Sequence, residues 1–290
     1  MKYITINDLS ETIRKNIWKI PRDIDFIIGV PRSGMLAASI ISSFLNVPLI
    51  DVNSFLAGLE PWGGNRVSYF NANHIKTNKV LVMDDTVSYG TSMTNVKNLI
   101  NNSGKNFEFV YCAVYLEGPG GHVLDLYLED VRKYTDGFTK IVFYEWNILQ
   151  HNERHTLEFL FDIDGVLCLD PPDERNENEY LSYIENAVPL FIPRSKIGGI
   201  VTYRLSKNRE KTAEWLRKNN VRYNDLFMFE AQSWEERRTS GITPEMFKGK
   251  IYKNKREFSL FIESDDYQAR RICEISGKPV YCVETNKLYQ

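Results

Sequence analysis

Short apolar runs that alternate with amphipathic stretches are the feature that most constrains the fold of this chain. In the first half, apolar runs such as DFIIGV (25–30) are followed by helix-like segments such as SGMLAASIISSFLN. Strands that alternate with helices in this way predict a parallel sheet covered by helices. The alternation restarts with LEFLFDI and GGIVTY (198–203), followed by a predicted helix at 208–220. The sequence therefore predicts an α/β fold with two Rossmann-like parallel-sheet domains.

The two predicted domains meet near Leu149–Thr156, where QHNERH interrupts the apolar runs with polar residues. A chain of 290 residues is long enough for two domains of ordinary size. We therefore expect domains at residues 1–150 and 151–290. At the start of the first domain, we expect a helix opened by Asn7 or Asp8, with Glu11 as the capping-box partner of Asp8.

Charge and apolar patterning exclude several classes of protein. The net charge is −2, and each half carries −1, from 14 basic against 15 acidic residues in 1–150 and 22 against 23 in 151–290. This balance lacks the basic excess of a nucleic-acid-binding protein. No run approaches the roughly 18 apolar residues of a membrane-spanning helix. The four cysteines form no CxxC pair, which favours reduced thiols in a cytoplasmic protein.

An acidic pair, Asp84–Asp85, ends the apolar run KVLVMD and precedes the hydroxyl-rich segment TVSYGTS. Ligands of parallel sheets bind beyond the carboxyl ends of the strands. Carboxylates in that position can accept hydrogen bonds from vicinal hydroxyl groups. The helix that follows presents free backbone N–H groups and a positive dipole end to an anion. Together these features predict a site for a ribose 5-phosphate.

The same segment, VLVMDDTVSYGTS, resembles the diphosphate-sugar signature of type I phosphoribosyltransferases, and IIGVPRSGMLAA (27–38) is similar to their pyrophosphate loop. The resemblance covers roughly residues 20–120 and implies binding of 5-phosphoribosyl 1-diphosphate (PRPP). It also implies Mg²⁺, a cation that prefers substrate oxygens to an all-protein cage. The binding residues that it implies are Arg32, Ser33, Gly34, Asp84, Asp85, Thr86, Ser88, Tyr89, Gly90 and Thr91. Tyr89 stands where the family commonly has Thr, and Thr91 where it often has Gly.

Between these two motifs, residues 56–70 contain Gly and Pro together with Trp62 and Arg66. The resemblance implies that this segment is the loop that closes over PRPP and excludes water from the reaction. An ordinary surface loop is the alternative interpretation.

A second acidic pair, Asp162 and Asp164, ends the run FLF in FLFDIDGVLC. Two carboxylates at this spacing can share a Mg²⁺ ion while they do different work. Asp162 can attack phosphorus, and Asp164 can protonate the leaving oxygen and later deprotonate water. The motif resembles the first motif of haloacid dehalogenase-superfamily phosphatases. Only about 40 residues separate Asp164 from Thr202, which leaves little or no room for a cap domain.

The remaining motifs of that superfamily follow in order along the chain. The resemblance implies that Thr202 holds the transferring phosphoryl group. A lysine should follow, and we favour Lys248, then Lys250, within FKGKIYKNKR. The metal ligands are expected to be Asp162, Asp164 and Asp265, with Glu263 or Asp266 in reserve.

Taken together, the chain resembles fused phosphoribosyltransferase–phosphatase proteins of bacterial surface polysaccharide synthesis. The resemblance implies transfer of 5-phosphoribosyl from PRPP to a glycan hydroxyl, with diphosphate release, and then hydrolysis of the 5-phosphate to leave β-ribofuranose. It implies a lipid-linked glycan acceptor at the inner face of the cell membrane, and a homodimer, as in many type I relatives. Asp85 and Glu60 are candidates for the general base of the transfer.

Two other functions compete with this hypothesis. A nucleobase phosphoribosyltransferase fused to a nucleotidase-type phosphatase would carry the same motifs. A protein that only senses PRPP would need the first site alone. The presence of Asp162 and Asp164 argues against the sensor, because a sensor does not need a nucleophile.

Overall fold

The computed structural model describes residues 2–65, 77–134, 142–151, 153–171 and 176–290. The chain folds into two compact units, Met1–Trp146 and Asn147–Gln290. Each unit is built on its own parallel sheet with helices. The predicted α/β fold class is therefore confirmed. The expected boundary at 150/151 lies close to this division.

The first unit contains a five-stranded parallel sheet in the order β3-β2-β4-β5-β6 and a separate parallel pair, β1-β7. Its strands are β1 (Lys2–Ile4), β2 (Phe26–Gly29), β3 (Leu49–Asp51), β4 (Lys79–Val87), β5 (Glu108–Leu116), β6 (Leu126–Asp130) and β7 (Val142–Tyr144). Its described α-helices are α1 (Ile6–Asn16), α2 (Gly34–Leu45), α3 (Val52–Leu56) and α4 (Thr91–Asn102).

Helices cover both faces of the five-stranded sheet, which explains the continuous apolar run at residues 80–83 of its central strand, β4. Along β4, Leu81 and Met83 pack in one core cluster, whereas Val80 and Val82 pack in another. Successive side chains of a strand point to opposite faces, so these clusters lie on the two sides of the sheet. The first cluster includes residues of α1 and α2, and the second includes residues of α3 and α4.

The start of α1 differs from the sequence prediction. The helix begins two or three residues earlier than expected, and Thr5 is its N-cap. The Thr5 hydroxyl accepts from the Asp8 backbone N–H at 3.1 Å, and the Asp8 carboxylate accepts from the Thr5 backbone N–H at 2.9 Å. Asp8 is thus the third helical residue of a capping box rather than its first member. The interpretation of Asn7 or Asp8 as the N-cap was wrong.

The second unit contains a six-stranded sheet in the order β10-β9-β8-β11-β12-β13, in which only β13 runs antiparallel to its neighbour. Its strands are β8 (Phe159–Phe161), β9 (Ile197–Leu205), β10 (Tyr223–Phe229), β11 (Leu260–Glu263), β12 (Val280–Cys282) and β13 (Lys287–Tyr289). Its described α-helices are α5 (Glu153–Thr156), α6 (Glu177–Asn186), α7 (Arg209–Lys218), α8 (Trp234–Thr239), α9 (Pro244–Asn254) and α10 (Asp266–Ser276).

The predicted helix at 208–220 is confirmed as α7, which buries Thr212, Trp215 and Leu216 as its 3.6-residue period requires. The Trp215 indole N–H donates to the Ala187 carbonyl at 2.9 Å, so its buried polar atom is paired. Over the part of the chain that the structure describes, none of the helices is long and apolar enough to cross a membrane.

Candidate functional site

The acidic pair of the first unit lies within the last four residues of β4, at the carboxyl edge of the sheet. Asp84 and Asp85 are both buried, with 7 % and 5 % of their surface exposed. The Asp85 backbone N–H donates to Asp84 Oδ1 at 2.9 Å. Burial and the adjacent Asp85 carboxylate raise the pKa of Asp84 well above its ordinary range. The fold thus holds two carboxylates together at an electrostatic cost, which is typical of functional sites.

The Asp85 carboxylate also accepts a hydrogen bond from the last residue of the first unit. The Trp146 indole N–H donates to Asp85 Oδ2 at 2.7 Å, and the Trp146 ring packs against Tyr144 with 5.1 Å between ring centroids. This contact could not be predicted from local sequence patterns, because 61 residues separate its two members.

The predicted pyrophosphate loop, residues 31–34, connects β2 to the start of α2. Gly34, the first residue of α2, packs directly against β4. A Cβ atom at Gly34 would lie 2.8 Å from both Asp84 Oδ1 and the Met83 carbonyl oxygen. Only glycine allows this helix to start against the acidic pair. Arg32 is exposed beside it, and the Ser33 side chain does not cap the helix.

The hydroxyl-rich segment after the acidic pair turns into α4 at Gly90. Gly90 has φ +82° and is the N-cap of α4, where no side chain caps the first turn. Segment 118–120 packs against this turn, because the Gly120 N–H donates to the Ser88 carbonyl at 2.7 Å. The helix start can therefore bind an anion through its backbone N–H groups.

The side chains of this segment differ in exposure. Thr86 is partly buried beside Asp85, Ser88 is partly buried, and Tyr89 and Thr91 are exposed. The predicted PRPP-binding residues thus lie on three neighbouring segments: the 31–34 loop, the end of β4 and the start of α4. Of the predicted closing loop, Trp62 is exposed and its backbone pairs with Leu49. Arg66 lies outside the described residues.

In the second unit, Asp162 comes directly after β8 and is buried. Its backbone N–H donates to the Ile262 carbonyl at 2.9 Å, which fixes it beside the end of β11. The Lys248 ammonium on α9 donates to Asp162 Oδ2 and to Glu263 Oε2, both at 2.7 Å, and to Gln268 Oε1 at 2.9 Å. The two carboxylates raise the pKa of Lys248 despite its burial. One ammonium group thus binds two buried carboxyl groups.

Asp164 is held by a second buried cation, Arg204 on β9. The Arg204 Nε lies 3.1 Å from each oxygen of the Asp164 carboxylate, and its Nη2 lies 2.5 Å from Oδ1. The Tyr183 hydroxyl donates to the same Oδ1 at 2.6 Å. Burial raises the pKa of Asp164, but Arg204 and Tyr183 outweigh it and lower that pKa below its ordinary value. Asp164 is therefore ionised at neutral pH.

These groups border a cleft of about 540 Å³, whose lining includes Asp162, Asp164, Lys248 and Asp265. Thr202, on β9, is fully buried, and its hydroxyl accepts from the Arg204 backbone N–H at 3.3 Å. Lys250 is exposed, whereas Lys248 is buried against Asp162. Of the two predicted lysines, the structure brings only Lys248 to the acidic pair.

The three acidic side chains within residues 263–266 bind different partners. Glu263 is fully buried and shares Lys248 with Asp162. Asp265 Oδ1 accepts from the Gln268 backbone N–H at 2.7 Å, so this carboxylate caps α10. Asp266 pairs with Arg270 and Thr285 instead. Glu263, which the sequence analysis held in reserve, is therefore the member of the cluster that contacts the Asp162 centre.

Residues 2–145 match the family model described as the phosphoribosyl transferase domain. The first unit carries a phosphoribosyltransferase domain. This confirms the first half of the predicted resemblance, and the phosphatase half stays a prediction.

Solved structures with similarity to the chain have low sequence identity. Purine phosphoribosyltransferase from Pyrococcus horikoshii Ot3 is 21 % identical, with a TM-score of 0.34, over 50 % of this chain and 92 % of that one. Xanthine-guanine-hypoxanthine phosphoribosyltransferase from Helicobacter pylori is 17 % identical, with a TM-score of 0.35, over 51 % and 93 %. A chain of the Pnkp1/Rnl/Hen1 complex is 12 % identical, with a TM-score of 0.33, over 91 % and 97 %. No curated protein matches the chain.

The donor atoms at Asp162 fit a hard cation such as Mg²⁺. Asp162 Oδ1 is buried and has no hydrogen-bond partner among the described residues, although its other oxygen is bound by Lys248. Within the same described residues, no cluster of three or more His, Cys, Asp or Glu side chains is arranged as a metal site. Mg²⁺ usually takes only one or two carboxylates and completes its shell with water and substrate oxygens. Asp162 is the protein ligand that this geometry supports best.

Replacing Lys248 by methionine is expected to lower the free energy of unfolding by about 3–5 kcal/mol, since Asp162 and Glu263 would stay buried without their shared cation. Chemical denaturation of the full chain measures this difference. The matched control is Lys250→Met on the same helix, which removes an exposed charge and should change stability by less than about 0.5 kcal/mol. Equal stabilities of the two variants would contradict the buried triad.

Proposed function

We propose that this chain is a bifunctional ribofuranosyltransferase. Its phosphoribosyltransferase domain would transfer 5-phosphoribosyl from PRPP to a glycan hydroxyl, and its second unit would hydrolyse the 5-phosphate to leave β-ribofuranose. The family match of residues 2–145 supports the first step. The buried Asp162–Lys248–Glu263 triad beside Asp164 is the observation that carries the second.

In the first step, the acceptor hydroxyl oxygen attacks C1 of PRPP from the face opposite the diphosphate. The C1–O bond to the diphosphate breaks, its electron pair leaves with the diphosphate, and the configuration at C1 inverts. Asp84 and Asp85 accept hydrogen bonds from the ribose hydroxyls. The backbone N–H groups of α4 bind the 5-phosphate, and Arg32, Ser33 and Gly34 bind the diphosphate. When bound, Mg²⁺ supplies positive charge to the diphosphate oxygens.

In the second step, an Asp162 oxygen attacks phosphorus, and the bond from phosphorus to the ribose 5-oxygen breaks. Asp164, which takes up a proton from solvent as the anionic phosphate binds beside it, donates that proton to the leaving oxygen, and Thr202 and Lys248 hold the transferring phosphoryl group. Water then hydrolyses the aspartyl-phosphate while Asp164 accepts a proton. The Arg204 contact suits this last role, because it keeps Asp164 ionised in the ligand-free protein.

A dedicated second site is needed for this product. Phosphate monoesters hydrolyse so slowly in water that enzymes accelerate the reaction by up to about 10²¹-fold. If the final product is a glycan-linked ribose with a free 5-hydroxyl, an enzyme must remove the 5-phosphate. A phosphatase unit in the same chain would do this. The lipid-linked acceptor at the inner membrane face and the homodimer rest on the resemblance and stay predictions.

Wild-type protein incubated with PRPP, Mg²⁺ and two acceptor panels tests the proposal. One panel contains synthetic glycans and the other contains nucleobases, and mass spectrometry detects the product. We expect glycans to gain a pentosyl unit without phosphate, together with release of diphosphate and then of inorganic phosphate. Products on nucleobases, with all glycans unchanged, would contradict the proposal and support the nucleobase alternative.

A further inference from the structure

Glu117 lies beside the acidic pair, although no sequence motif pointed to it. It directly follows β5, whose carboxyl end pairs with the end of β4. The Glu117 backbone N–H donates to the Val87 carbonyl at 2.9 Å. At the next residue, Gly118, a Cβ atom would lie 2.6 Å from the Ser88 carbonyl oxygen. These close contacts fix Glu117 against the segment that joins the acidic pair to α4.

The acidic residues suggested earlier as the general base of the transfer are less suitable. Asp85 Oδ2 already accepts a hydrogen bond from the Trp146 indole at 2.7 Å, and its proposed task is to bind ribose. Glu60 is exposed, so that nothing in the described structure fixes its carboxylate near the acidic pair. The transfer still requires a group that accepts the proton of the acceptor hydroxyl.

Tyr144, on β7 near Glu117, has a buried hydroxyl group whose hydrogen-bonding capacity the described residues do not fill. Tyr144 is buried, with 5 % of its surface exposed, and burial, followed by the charges of Glu117 and Asp85, raises the pKa of its hydroxyl. Its hydroxyl lies near Thr86 but makes no hydrogen bond of normal geometry with any residue that the structure describes. A buried hydroxyl without a partner is costly unless a ligand or water completes it. The Tyr144 hydroxyl can therefore donate to a polar group that binds near these carboxylates.

Burial, and then the charge of Asp85, raise the pKa of Glu117 to about 7. The titratable groups that face it are Asp85 from β4 and Tyr144 from β7. A general base is most effective when its pKa is close to the working pH, because it is then both deprotonated and basic.

We propose that Glu117 is the general base of the transfer step. The acceptor O–H proton passes to the Glu117 carboxylate as the acceptor oxygen bonds to C1 of PRPP, and the electron pair of the broken C1–O bond leaves with the diphosphate. The Tyr144 hydroxyl keeps its proton and donates a hydrogen bond to the acceptor oxygen or to the Glu117 carboxylate. This assignment rests on the proposed function and adds a catalytic residue to it.

The test compares Glu117→Gln with Glu108→Gln, an exposed glutamate at the other end of the same strand. At saturating glycan and PRPP, we expect Glu117→Gln to lower kcat of the transfer by about 10²–10⁴-fold. Its affinity for Mg²⁺·PRPP, measured by titration calorimetry, should be unchanged. The wild-type rate should fall as the pH drops below about 7, since a protonated Glu117 cannot accept a proton, and Glu117→Gln should lose this dependence. Glu117→Asp, which keeps the carboxylate, should restore the pH dependence in part.

The outcomes separate this inference from the proposed function. An active wild type with an unaffected Glu117→Gln variant would overturn the role of Glu117 alone. Loss of PRPP affinity in that variant, at unchanged kcat, would make Glu117 a binding residue and overturn it as well. A wild type that modifies no glycan would overturn the proposed function and, with it, this assignment.

Discussion

Asp162→Asn protein is expected to make a glycan that keeps the 5-phosphate. The substitution preserves the shape of the side chain but removes the proposed nucleophile, and loss of a catalytic nucleophile typically lowers a rate by at least about 10⁴-fold. The transfer step uses residues of the other unit and should proceed at the wild-type rate. Mass spectrometry of the product, with an assay for inorganic phosphate, measures both steps in one incubation.

The matched control for this variant is Asp225→Asn on β10, where the carboxylate is exposed. The control should release phosphate as the wild type does. Rapid phosphate release by Asp162→Asn would remove Asp162 from the nucleophile role. Absence of any phosphoribosyl product would contradict the division of the two steps between the two units.

The second large effect is expected from Asp84→Asn combined with Asp85→Asn. Hydrogen bonds to a charged group contribute about 1.5–3 kcal/mol each, so loss of two such bonds to ribose should slow the transfer by about 10²–10⁴-fold. Phosphatase activity on a supplied phosphoribosyl glycoside should be unchanged. The control is Asp130→Asn, which alters a carboxylate at the end of β6, on the same edge of the sheet.

The same double variant should be more stable than the wild type. Burial and Asp85 raise the pKa of Asp84 in the folded protein, so its contribution to stability is present at low pH and is lost as the pH rises through the raised pKa. The variant has no carboxylates at these positions and should show a higher unfolding free energy at neutral pH, with a weaker pH dependence. A less stable variant would show that the charges at this site do not oppose folding.

Several contacts of the candidate sites could not be predicted from sequence because their members lie far apart in the chain. Arg204 stands two residues after Thr202, but its pairing with Asp164 spans 40 residues and depends on how β8 and β9 align. Tyr183 reaches the same carboxylate from α6. The choice of Lys248 over Lys250 likewise required the position of α9. On a helix, residues two apart point in different directions, so one lysine is buried and the other is exposed.

The N-cap of α1 shows that a local sequence pattern cannot always predict where a helix begins. The motif that opens α1 is Thr5 with Asp8, yet Asp8 with Glu11 has the same spacing and an equally suitable chemistry. The structure selects Thr5 because β1, which precedes it, pairs with β7 near the end of the first unit and sets where the helix can begin.

The sequence by itself determined the α/β class, the two parallel-sheet units and the two acidic pairs. These features depend on hydrophobic period and on strand ends, both of which are local properties of the chain. Only the tertiary structure decided which charges pair: Lys248 with Asp162 and Glu263, Arg204 with Asp164, and Trp146 with Asp85. It also placed Glu117 beside Asp85. Pairing between distant residues depends on strand order and register, because these set which side chains meet at the edge of a sheet.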